Sequence, residues 1–173
     1  MDCIKKVFAT IGSLAPILLL LLTCLLLRNK KTYLLIFLSG FVINNIFNIL
    51  LKITIQEPRP EDDTRLFHLK LTNGKRMHYD KFGMPSGHAQ NCFYCLAFVL
   101  YVLQNSLVNW VISVYFLLSI VSIFQRYLYN NHTLIQLIVG ALIGTLVCYA
   151  TCFTGNIVLQ GRMSLKADDY CLV

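Results

Sequence analysis

Two histidines, three strong cations and a Ser-Gly pair stand out in this sequence because each sits where an apolar run begins or ends. Lys52 and Arg59 flank the end of one run, and Ser86, Gly87 and His88 open the next. Arg126 closes a later run and His132 opens the last. These are the groups that handle a phosphate. Phosphoryl transfer calls for cations and amide donors around the equatorial oxygens, a nucleophile in line, and an acid for the leaving oxygen. Lys52, Arg59 and Arg126 supply charge, and the planar fork of arginine matches phosphate oxygens in pairs. Ser86 follows Pro85 and starts a helix. Its hydroxyl and the amides of Gly87 and His88 then form an anion site at a helix N-terminus, where Gly87 lets the backbone come close. His88 and His132 are left as proton donor and nucleophile. A nucleophilic histidine must be neutral, and the positive end of a helix dipole at His132 opposes the imidazolium form. The acidic residues show no metal-ligand spacing and the cations already fill the electrophilic role, so no metal or other cofactor is expected.

The elements that must position these groups are membrane helices. Of the 173 residues, 57% are hydrophobic and only 13% charged, and the mean hydropathy is +0.64. A soluble chain of this length could not hide so much apolar surface. The apolar residues come in blocks of about 20, the length that crosses a ~30 Å hydrocarbon core at ~1.5 Å per residue. The expected fold is all-α: a polytopic membrane helical bundle of about five transmembrane helices, near residues 8–27, 32–55, 86–107, 110–127 and 132–153, in one membrane-embedded domain spanning 1–153. Residues 56–85 form the polar loop of the site, and a polar, poorly ordered tail runs over 154–173. The first run has the basic start and leucine core of a signal peptide but no small-residue cleavage site, so it reads as a retained helix, kinked at Pro16.

Asn44, Asn48 and Lys52 lie four residues apart and so share one helix face. Amides are costly in a membrane unless they face protein or water, so this stripe faces the bundle interior. Gly140 and Gly144 form a GxxxG that suits close packing inside the bundle. With five spans, Lys52, Ser86 to His88, Arg126 and His132 all fall on one side of the membrane. Each has a plainer reading, the cations as interfacial anchors and the histidines as structural residues at helix ends. Their shared side favours a single polar site.

The net charge of +7 fits anionic lipid headgroups or a phosphorylated membrane substrate. No nucleic-acid partner is expected, because the basic residues cluster at helix ends with few aromatic platforms beside them. The partners are the bilayer and a membrane lipid substrate; oligomeric state is open. Five of the seven cysteines fall inside apolar runs and read as small buried apolar residues. His68 and His78 take no role, and the Asn131-His132-Thr133 sequon is a chance match at the membrane edge.

The pattern Lys52-x6-Arg59-Pro60, Pro85-Ser86-Gly87-His88 and Arg126-x5-His132 resembles the three signature motifs of the type 2 phosphatidic acid phosphatase superfamily. The resemblance implies that Lys52, Arg59, Ser86, Gly87 and Arg126 bind phosphate. It implies that His88 protonates the leaving group and that His132 attacks phosphorus, giving a phosphohistidine that water hydrolyses. The superfamily usually places an aspartate four residues after that histidine, where this chain has Gln136, and commonly a serine where it has Gln125. Gln136 then takes the orienting role without a full charge, and Glu57 and Asp80 flank the site either as replacement carboxylates or as ion-pair partners. IQEPRP (Ile55 to Pro60), KFGMPSGHAQ (Lys81 to Gln90) and the segment from Arg126 to Gly144 are similar to the dolichyldiphosphatase branch, which also has glutamine at the position of Gln136. That branch implies hydrolysis of dolichyl diphosphate at a site facing the lumen of the endoplasmic reticulum. A broader phosphatidate or lysophosphatidate phosphatase, and a non-catalytic protein that binds lipid phosphates, are the alternatives. The basic loop at 28–31 prefers the cytoplasm, which puts the site on the lumenal or outer side.

Overall fold

The computed structural model describes residues 2–60, 81–103 and 109–158. They form five helices, α1 (Asp2–Leu26), α2 (Lys31–Ile55), α3 (Gly87–Leu103), α4 (Asn109–Leu128) and α5 (Leu134–Val158). Among the described residues there is no strand, only an isolated bridge between Pro58 and Phe82. Four helices are long and apolar enough to cross a membrane, and α3 has 17 described residues.

The outward surface carries the argument for a bilayer. Leu35, Ile43, Ile46, Leu142, Leu146 and Phe153 are all exposed. The inward surface holds Asn44, Asn48, Lys52, Ser119, Ser122, Gln125 and Gln136. A water-soluble bundle has the opposite polarity. Backbone groups in hydrocarbon must be satisfied within the segment, which only a helix or a closed barrel achieves. The protein is a multi-pass membrane protein with an all-helical fold.

α3 is the central helix and packs against the other four. Its Tyr94 and Phe98 meet Phe37 of α2, with ring centroids 5.6 and 5.0 Å away, and Tyr94 donates its hydroxyl proton to the Phe37 carbonyl at 2.9 Å. The asparagine stripe of α2 does face the interior. Asn44 donates to Asn91 at 2.7 Å, Asn48 donates to Gln90 at 2.7 Å, and the Gln90 amide donates back to the Asn44 side chain at 2.9 Å. On the other side, Gly140 and Gly144 let α5 lie directly on the α3 backbone: a methyl at Gly140 would meet the Ser86 carbonyl, and one at Gly144 the Gln90 carbonyl. α1 runs antiparallel to α4, joined where the Thr23 and Tyr115 hydroxyls meet at 2.9 Å.

Helix boundaries depart from expectation in three places. α1 includes the polar start, because backbone bonding propagates through Lys5 and Lys6 whatever their polarity. α5 begins at Leu134, not His132, because Thr133 and Gln136 form a reciprocal capping pair: each backbone N–H bonds the other's side-chain oxygen at 3.2 Å. The tail was expected to start at Thr154, but α5 runs on to Val158. There Thr154 returns its hydroxyl proton to Ala150 and Asn156 donates to the Tyr101 hydroxyl at 2.7 Å. The middle of the polar loop, the turn after α3 and residues 159–173 lie outside the described residues.

A methyl at Gly144 has only backbone to displace, so Gly144→Ala should cost about 1–3 kcal/mol of stability by overpacking. Thermal unfolding in detergent should show a lower midpoint for it, and little change for Ala141→Gly beyond helix propensity.

Candidate active site

Four chain ends bring the site together. α2 stops at Gln56, which turns left-handed (φ 55°) with its N–H on the Lys52 carbonyl at 3.0 Å. The two ends of the polar loop are then stitched: Gly83 N–H donates to the Glu57 carbonyl at 2.8 Å, and Lys52 Nζ donates to the Phe82 carbonyl at 3.0 Å. α4 ends in a Schellman motif. Asn130 sits at φ 51° with its N–H on Tyr127, and Asn131 N–H reaches back to the Arg126 carbonyl, both at 3.0 Å. This reversal sets His132 beside the helix end that carries Arg126. Ser86 is the N-cap residue of α3, its carbonyl accepting from Gln90 N–H at 3.0 Å.

The side chains chosen from the sequence meet here. Arg59 Nη1 donates to His132 Nε2 at 2.8 Å and to the Asn131 carbonyl at 3.2 Å. Arg126 Nη2 contacts His88 Nε2, which also lies 3.2 Å from the Ser13 carbonyl of α1. Lys52, Arg126 and His132 are buried; Arg59 and His88 are half-buried. Ser86 is fully buried, and its hydroxyl has no hydrogen-bond partner among the described residues. Gly87 starts α3 with the Asn48 side chain beside it, and its amide and that of His88 stand at the helix end. Asp80 lies outside the described residues.

Gln136 joins the pieces. Its Oε1 accepts the Thr133 backbone N–H and lies 3.2 Å from His132 Nδ1. Its Nε2 donates to Glu57 Oε1 at 2.7 Å and to the Pro58 carbonyl at 2.9 Å. Its own carbonyl accepts Ser86 N–H at 3.1 Å. Thr133 N–H can only donate and the Pro58 carbonyl can only accept, so the amide has one orientation. His132 must therefore carry its proton on Nδ1, and Nε2 is left with the lone pair. Gly83 presses against this amide, where a methyl group would overlap it.

Burial holds His132 well below the ordinary histidine value of 6.5, helped by the charges of Arg59, Lys52, His88 and Arg126. The helix dipole invoked for this effect is secondary, because His132 stands two residues before α5. Among the described residues no three His, Cys, Asp or Glu side chains gather as a metal site would require.

Some of the site was not expected from the sequence. Ser13 carried no signal, because its contact uses a backbone oxygen. Thr133-x-x-Gln136 is a capping-box spacing that was legible and passed over. Gln125 is fully buried against Gly12 of α1, and neither side-chain polar atom has a hydrogen-bond partner among the described residues. Nothing in the structure explains that arrangement.

A helical membrane bundle with a histidine set among lysine and arginine at its edge fits the membrane phosphatases of lipid phosphates. The chain belongs to the PAP2 superfamily, whose family model matches residues 33–156. The match takes in every site residue chosen from the sequence while leaving out α1. Comparison with curated proteins and with solved structures gave no match.

The depressed His132 value has a consequence for stability. Below pH ~6.5 the unfolded chain takes up a proton that the folded chain refuses, so this contribution is complete above that pH and is lost on acidification. Between pH 6.5 and 5, stability should fall more steeply in the wild type than in His132→Gln, by up to about 1.4 kcal/mol per pH unit. Unfolding midpoints in detergent across that range would check it.

Proposed function

We propose that this protein is a metal-independent lipid phosphatase working through a phosphohistidine on His132, and that its substrate is a polyprenyl diphosphate of the dolichyl type. The observation that carries the chemistry is the tautomer lock on His132. Gln136 holds the proton on Nδ1, so Nε2 offers its lone pair to the same space that Arg59 fills with N–H donors.

In this reading Arg59, Arg126, Lys52, the Ser86 hydroxyl and the first amides of α3 receive the phosphoryl oxygens. Arg59 shifts its N–H from Nε2 to an oxygen as phosphorus approaches. Nε2 attacks phosphorus and the bond to the lipid-side oxygen breaks. That oxygen leaves with the bonding pair and takes a proton from His88. His88 Nε2 is where that proton is exchanged: the Ser13 carbonyl beside it can accept from its protonated form, and the Arg126 guanidinium can donate to its deprotonated form. Water then attacks the phosphohistidine, His88 takes its proton, the P–N bond breaks, and phosphate leaves with His132 restored. With a diphosphate the leaving group is the lipid monophosphate.

The narrower substrate class is supported by IQEPRP and KFGMPSGHAQ, and by the use made of Gln136, whose amide meets two side chains and two backbone groups, both accepting and donating as an aspartate could not. The basic 28–31 loop supports a cytoplasmic position for that end and a site on the lumenal or outer side, and the resemblance to the dolichyldiphosphatase branch favours the lumen of the endoplasmic reticulum.

Purified protein in detergent with a chelator should release phosphate from dolichyl diphosphate faster than from phosphatidate. His132→Ala should lower the rate by roughly 10³-fold or more, and acid quenching should trap labelled phosphate on the wild type only. Release from no lipid, or equal rates for His132→Ala and wild type, would overturn the reading. Faster turnover of phosphatidate would move the substrate to the broader class.

A further inference from the structure

The Glu57 carboxylate ends a chain of hydrogen bonds that begins on the nucleophile. His132 Nδ1–H points to Gln136 Oε1 at 3.2 Å, and Gln136 Nε2–H points to Glu57 Oε1 at 2.7 Å. An amide between an imidazole and a carboxylate is polarised along its length. The carboxylate draws positive charge onto Nε2, and the oxygen facing the imidazole becomes the more negative. The imidazolium-like charge that grows on His132 during attack is then met by a carboxylate one amide away.

We propose that Glu57 is a positioning residue for this reaction, supplying through Gln136 a negative charge on the far side of the His132 imidazole from phosphorus. The inference rests on the phosphatase reading given above. Gln136 is fully buried and Glu57 half-buried, so water screens the amide link little. Its orientation is fixed by Thr133 N–H and the Pro58 carbonyl, so it cannot flip and break the chain. Gly83 leaves room for the amide and also donates its N–H to the Glu57 carbonyl, which anchors the backbone that carries the carboxylate. The device also explains the loop. Glu57 is next to Pro58 and two residues before Arg59, so one segment delivers both the phosphate-facing cation and the distant counter-charge.

The contrary reading is that Glu57 merely satisfies a buried amide. Glu57→Gln separates the two, because glutamine can still accept from Gln136 but has no charge. The proposal expects Glu57→Gln to lower kcat about tenfold or more with KM nearly unchanged and with the unfolding midpoint preserved. It expects Gln136→Glu alone to be worse, since two carboxylates then face each other. It expects the exchange Glu57→Gln with Gln136→Glu to recover at least tenfold over Gln136→Glu, because the amide now donates to a carboxylate that touches His132 directly. Wild-type kcat in Glu57→Gln, or an exchange no better than Gln136→Glu when both are folded, would overturn it. Failure of the phosphatase reading looks different, since then the wild type itself releases no phosphate and forms no phosphohistidine.

Discussion

Everything around His132 depends on one amide held in one orientation. Gln136 meets its own helix start through Thr133, the end of the α2 loop through Glu57 and Pro58, and the start of α3 through Ser86. A buried amide left with unmet donors or acceptors would cost about 1–3 kcal/mol for each group, so the three segments are locked into mutual register by the need to satisfy it. The same lock selects the histidine tautomer. Structural economy and chemistry coincide because the partners that fix the amide also fix which nitrogen holds the proton. Aspartate in that place would accept from His132 and Thr133, but it could not donate to Glu57 and Pro58. This chain's loop is built for a donor.

Much of this was legible beforehand. Long apolar blocks gave the helices, because a bilayer sets their length from outside. The four-residue spacing of Asn44, Asn48 and Lys52 gave the interior face of α2. Counting spans put the charged ends on one side. What escaped was set by partners that sequence spacing does not encode. The Schellman turn at Asn130 and Asn131 decides how near His132 comes to Arg126, and it depends on a positive φ. The contact from Ser13 uses a carbonyl, which every residue has. Glu57 was weighed as a replacement for aspartate beside His132, whereas it stands one amide further away. Linear distance from Glu57 to Gln136 says nothing of that; the bridge between Pro58 and Phe82 and the Gly83 N–H on the Glu57 carbonyl hold the segment there.

The buried amides of α2 and α3 follow from the solvent. In lipid, apolar surfaces gain little by meeting one another, so helix register must come from packing and hydrogen bonds. The Asn44–Asn48–Gln90–Asn91 seam supplies bonds that slide past one another only by being broken together. Each such bond in a membrane contributes only about 0.6 kcal/mol on average. Their value is specificity: a slip of α3 by one residue would carry Ser86 and His88 away from the α2 end.

That register matters most where the seam reaches the surface. Asn48 donates to the Pro85 carbonyl at 3.2 Å, just before Ser86, and Lys52 lies one turn further along the same face. Across α3, Gly140 admits the Ser86 backbone against α5. The first turn of α3 is thus gripped from both sides, by a polar contact from α2 and by a backbone contact from α5. An anion site made of helix-end amides works only if those amides do not move when charge arrives, since pre-set donors need no reorganisation as the transition state forms. The glycines and asparagines beneath the site are therefore part of its electrostatics, although none of them is charged.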